Sequence, residues 1–192
     1  MSPVQPTRPR DRARSPQTLS LADRQQAAVW AADCAERVLG LFEAEAPADR
    51  RPREAIAGLR AFARGELRVW PARSLAGEAH AAARDIRDKP AAVAAARAAG
   101  QAAATAHMGA HALGAAAYAA RAVGLARPDR EDAVADEIRW QIGHLSPPAR
   151  TALRTLPPVG VSKAGPIGPG LLSSGSLGAI VRQLQAALAE PG

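Results

Sequence analysis

From Ser20 onward, apolar positions return at the three-and-four-residue spacing of an α-helix. Ala27, Trp30, Ala31, Cys34, Val38, Leu41 and Phe42 line one side of such a helix. Ser20 followed by Asp23 is a capping pair at its start, and Pro47 lies just past its end. A second helix has Asp49 as its cap and Pro52 in its first turn. It carries Ile56, Leu59 and Ala63 on one face and Arg53, Arg60 and Arg64 opposite, with Gly65 as its stop. Trp70–Pro71 opens a third helix bearing Leu75, Ala79, His80 and Ala83, and Asp88–Lys89–Pro90 breaks it. The run from Pro90 to Ala126 divides near Met108–Gly109 into helices over 90–107 and 109–124. Asp129 caps a sixth helix through Val134, Ile138, Ile142 and Leu145, ended by Pro147–Pro148, with room for a short helix over 148–155. Leu177, Ile180, Val181, Leu184 and Leu188 give residues 176–189 an amphipathic helical pattern, best satisfied by docking on the chain's own domain.

Composition turns this pattern into a fold class. The chain has 192 residues and is 47% hydrophobic, but about a quarter of it is alanine and only 3% is aromatic. Alanine is the strongest helix former, and aromatic and β-branched runs of the kind strands require are nearly absent. The expected fold is all-α: a single alanine-rich bundle of about six helices over 19–156. A disordered Arg/Pro-rich leader over 1–18 precedes it. A Gly/Pro/Ser linker over 157–175 follows, attaching a short amphipathic helix over 176–190.

Charge changes less than its total suggests. Of the net +7, the leader contributes +3 through Arg8, Arg10, Arg12 and Arg14 against Asp11, and the bundle carries only +3 with both signs intermixed. A nucleic-acid-binding domain concentrates basic charge on one face, so this distribution argues against nucleic acid as the partner. A nucleic-acid-associated protein with the leader as an electrostatic arm stays as an alternative. The single cysteine, Cys34, excludes an intramolecular disulfide framework and a multi-cysteine zinc site. No signal peptide is visible, and the longest uncharged stretch, 98–120, is too rich in Ala and Gly for a membrane span. The expected location is the cytoplasm of a bacterium.

Candidate chemistry is sparse. His107 and His111 stand four residues apart on one helix face, and with His80 on a neighbouring helix they form a possible three-histidine metal site in a helical bundle. Ordinary interior histidines bonded to their neighbours are the plainer reading, since no acid stands between the pair as in zinc proteases. Cys34 lies in the apolar stripe of the first helix, which suits a buried structural thiol better than a nucleophile. Arg50, Arg51, Arg53, Arg60 and Arg64 are the densest basic cluster. Salt bridges to Asp49, Glu54 and Glu66 account for it more simply than a phosphate grip. Trp30, Trp70 and Trp140 read as packing anchors. No P-loop, nucleophile elbow or dinucleotide fingerprint occurs, no cofactor is indicated, and the chain does not read as an enzyme.

The order of segments is informative beyond these parts. AADCAERVLGLFE at 31–43 is followed by DRRPREAIAGLRAFARGEL at 49–67, EAHAAARD at 78–85, the alanine-rich run at 91–123, and DEIRWQIGHL at 136–145. This order resembles a family of small bacterial immunity proteins related to the fifth class of polymorphic-toxin immunity domains, over about two-thirds of the chain. The resemblance implies a protein that neutralises a cognate toxin by stoichiometric binding, with no catalytic residues to carry over. The segments at 31–43 and 49–67 are its most specific part. The candidate toxin-contact surface is therefore the corner between the first and second helices, with Asp49, Arg50, Arg51 and Arg53.

Overall fold

Ser20 caps the first helix in the computed structural model, which describes residues 15–190. Its Oγ accepts from the Asp23 backbone N–H at 3.1 Å and donates to the Asp23 carboxylate at 2.7 Å. Behind this cap runs α1 (Leu21–Glu43), burying Trp30, Cys34, Val38, Leu39 and Phe42 on one side. In α2 (Arg51–Ala63) Asp49 still serves the first turn, accepting from the Arg51 backbone N–H at 3.1 Å, although Arg50 occupies the capping position. The helix ends at Gly65, whose φ of 79° lets Glu66 N–H reach the Ala61 carbonyl and Gly65 N–H the Phe62 carbonyl, both at 2.9 Å.

The remaining helices are α3 (Val69–Asp85), α4 (Pro90–Ala104), α5 (His111–Ala126), α6 (Ala133–Gly143), α7 (Pro147–Arg154) and α8 (Gly175–Ala189), with a 3₁₀ turn at Leu171–Ser173. The class is all-α, but the described residues hold eight α-helices where the sequence predicts about six. Six are those of the predicted bundle; the other two are α7, capped by Ser146, in the room left over 148–155, and α8, the predicted amphipathic helix, whose apolar stripe is buried. The boundary between α4 and α5 falls at the Met108–Gly109 region, as expected. There the Gly109 and Ala110 N–H groups leave the helix ladder and bond the carbonyls of Thr18 and Gln17. The start of α6 differs: Asp129 is exposed and caps nothing, and the helix begins at Ala133. Arg130, in the turn before it, reaches Asp132 at the capping position and Asp136 in the first turn of the helix.

α4 and α5 form the most extensive helix pair of the molecule, and α1 packs across both. α4 buries Ala92, Ala94, Ala95, Ala96, Ala98, Ala99 and Ala102 to Ala104, so it is enclosed on nearly every side. A buried methyl contributes only about 0.8 kcal/mol, so this pair depends on number and on close backbone approach rather than on any single contact. The larger side chains come from around it: Trp30 and Phe42 from α1, Leu59 and Phe62 from α2, and Leu184 and Leu188 from α8.

The predicted leader falls mostly on residues 1–14, outside the described residues. Its last part is anchored by Gln17, which is fully buried. The Gln17 amide donates to the Ala164 carbonyl at 2.7 Å and accepts from Ile167 N–H at 3.1 Å. The Gly/Pro segment before α8 is thus tied to the entry of the chain, and Gln185 of α8 grips it again through Val159 N–H and the Pro157 carbonyl. No described helix is long and apolar enough to cross a membrane.

Candidate functional site

The corner between α1 and α2 brings Asp49, Arg51 and Arg53 together, with Arg50 beside them, and matches their charges internally. Arg51 holds Asp49 at 2.5 Å and Asp85 of α3 at 2.6 Å. The Arg51 guanidinium keeps the Asp49 carboxyl below its usual range. Arg53 makes two parallel bonds to Glu43, each 2.7 Å long. Arg60 reaches back to α1, bonding Asp33 at 2.8 Å and also Glu36. Arg64 pairs with Glu66 at 2.7 Å and Arg50 with Glu54 at 3.9 Å. Arg51, Arg53 and Arg60 fasten α2 to α1 and α3, while Arg50 and Arg64 pair locally.

The three candidate histidines lie in one region of the bundle. The His107 and His111 rings lie 5.0 Å apart, tilted by 46°. His111 Nδ1 is bonded to the Gln101 side-chain carbonyl at 2.7 Å. The His80 ring lies against Gly100, where a Cβ would stand 2.6 Å from its Cε1. Burial, with His107 and His80 nearby, pushes His111 down to about 3. Burial also lowers His80, aided by Arg97 and Arg84, and lowers His107, aided by Arg73 and Arg24. Among the described residues no group of three or more His, Cys, Asp or Glu side chains could hold a metal ion.

Cys34 is fully buried, and burial together with Glu137 and Asp33 raises its thiol well above the ordinary range, the reverse of an activated nucleophile. Glu137 is itself buried and takes Arg37 at 2.7 Å and the Gln141 amide at 3.2 Å. The Trp30 indole donates to the Gln141 carbonyl at 2.7 Å. Trp30 is therefore an anchor, as predicted. Trp140 is half-buried between Arg37, 4.1 Å from its ring, and the stacked His144. Trp70 departs from the expectation: it is 72% exposed at the N-terminal turn of α3 because Pro71 and the short α2–α3 connection leave it outside the helix contact. With Leu21, Phe62, Leu67 and Val69 it lines an apolar groove of about 670 Å³.

A second groove, of about 290 Å³, was not anticipated from the sequence. Arg87, Arg97 and Arg121 line it together with Val93, Tyr118, Leu125 and Leu171. Its signal was present in the chain, since residues 89–128 contain no Asp or Glu at all. The arginines of α4 and α5 thus have no acid on their own helices to pair with.

The model of the family described as "Imm-5 like putative immunity protein" matches residues 17–148, which span α1 to α6 and the first residues of α7. No curated protein and no solved structure matches the chain. The family match covers well over half of the sequence and agrees with the order of segments that the sequence itself displays, and on this basis the chain belongs to the Imm-5 like immunity protein family.

Proposed function

We propose that this chain protects a bacterium by binding a toxin protein directly, one to one, in the cytoplasm. The observation that carries the reading is the family match across the whole α1–α6 body. The surface supports it in kind: an open apolar groove beside an exposed tryptophan is the sort of feature that protein contacts favour. The buried Cys34 and the internally bonded His111 are consistent with a role that needs no chemistry. The test is co-expression with the toxin encoded beside this gene. Growth should be restored, and the two proteins should co-purify in equal amounts. Continued toxicity together with the absence of a complex overturns the proposal.

A further inference from the structure

Arg97 and Arg121 are both half-buried, and neither has an ion pair or hydrogen bond among the described residues. Removing a guanidinium from water without a partner is unfavourable, and two such groups line this one groove. Arg87 extends the positive wall, its Nε spent on the Arg84 carbonyl at 2.9 Å. The field reaches inward, for Arg97 is among the charges that keep His80 unprotonated. The nearest cation along the chain behaves differently: Lys89 is matched by Glu45 at 3.0 Å.

The rim is apolar. Leu171 is 69% exposed and Leu125 39% exposed, while Tyr118 closes the floor at 6%. A free inorganic anion would use the guanidinium groups but not these leucines. A carboxylate side chain carried between apolar neighbours would use both. Leu171 and Leu177 also belong to the segment beyond the family match, so this wall is added to the shared body by the chain's own C-terminal part.

We infer that the Arg87–Arg97–Arg121 groove is where the toxin docks, and that it takes an aspartate or glutamate of the toxin flanked by apolar side chains. This rests on the toxin-binding reading above, and adds to it the place and the chemistry of the contact. Association should be fast and strongly weakened by salt.

The test uses the full chain and the neighbouring toxin domain in titration calorimetry. Arg97→Gln/Arg121→Gln should lower affinity by on the order of tenfold or more, and Arg97→Glu/Arg121→Glu by on the order of a hundredfold. Arg130→Gln, whose guanidinium is matched by Asp132 and Asp136 away from the groove, should bind like the wild type. Circular dichroism and the melting temperature establish that the variants are folded; the glutamine pair serves if the charge reversal does not fold. Wild-type binding that both groove variants retain overturns the inference and leaves the toxin-binding reading intact. A wild-type chain that binds no toxin overturns both. In a second arm inorganic phosphate is added to the free chain, with the arginine Nε–H resonances followed by NMR. Saturation of Arg97 and Arg121 at low millimolar phosphate, with toxin unable to compete, makes this a small-anion site and overturns the inference. Weak, unsaturated shifts that toxin abolishes support it.

Discussion

At the α1–α2 corner five arginines face seven carboxylates, and at the α4–α5 groove three arginines face none. The corner is the more basic of the two by sequence and the less basic in the folded chain. Three of its arginines are spent on joining helices: Arg60 bridges to residues 27 and 24 positions earlier, Arg53 reaches Glu43, and Arg51 spans 34 positions to Asp85. Arg97 and Arg121 rise from alanine-rich helices that carry no acid, and Arg87 from the turn that leads into the first of them. Arginine density along a chain is thus a poor guide to free charge. What decides it is whether folding delivers a carboxylate to each guanidinium.

Backbone packing separates the two regions most strongly. A Cβ on Gly178 of α8 would stand 2.5 Å from the Ser173 backbone carbonyl carbon, in the turn that presents Leu171 to the groove. Gly178→Ala should therefore destabilise the fold by about 1–3 kcal/mol. It should also weaken toxin binding by displacing the wall. Gly40, on α1 next to the corner, has nothing within 4 Å of its Cβ position. Gly40→Ala should stabilise by about 0.5–1 kcal/mol through helix propensity alone. Urea titration of both variants measures the contrast, and equal effects in the same direction would show that the two regions do not differ in packing.

A smaller difference separates the arginines themselves. Arg60→Ala removes two contacts between α2 and α1, and should lower stability by about 1 kcal/mol, discounted because the pairs are partly exposed. Arg97→Ala and Arg121→Ala should be neutral or slightly stabilising, since each removes a charge with no partner. Loss of stability at the groove comparable to that at the corner would mean that those guanidinium groups are paired in solution and that the contrast is unfounded.

The sequence was most legible where local rules and tertiary packing agree. The Ser20 cap, the Gly65 stop, the division near Gly109 and the stripe of Leu177, Ile180, Val181, Leu184 and Leu188 all follow from local chemistry, and the structure realises each one. Asp129 was misleading because a good capping residue is only an opportunity, and Asp132, bonded to Arg130, stands at the capping position instead. Trp70 was misleading because periodicity does not reveal which side of a short connection faces solvent. Of His80, His107 and His111, the closeness of the last two could be expected from spacing. Their roles could not: Gly100 makes room for the His80 ring, and Gln101 takes the His111 Nδ1. The groove was hidden for a different reason. Its signal is an absence, the acid-free stretch 89–128, and a search for motifs does not register what is missing.

Acid provides the gentlest way to separate the two regions. His80, His107 and His111 all titrate below the ordinary histidine value of 6.5 in the folded chain, His111 at about 3. Below about pH 6.5 the unfolded chain therefore binds more protons than the folded one, so stability falls as pH is lowered and continues to fall toward the folded values. Above that pH these groups contribute no slope. The corner responds later, because Asp49 and Glu66 are held below their ordinary values of 3.8 and 4.5, and what they contribute is lost only as pH falls beneath those values. Between about pH 6.5 and 5 the decline in melting temperature should thus come from the histidine side of the molecule, where His80 adjoins Arg97. His80→Gln should make that part of the curve less steep, with His107 and His111 supplying the rest, and Arg97→Gln should also reduce the slope by removing one of the charges that oppose His80 protonation. Arg53→Gln at the corner should leave it unchanged. A profile that is flat between pH 6.5 and 5 in the wild type, or equally steep in His80→Gln, would place the acid sensitivity elsewhere and remove this distinction between groove and corner.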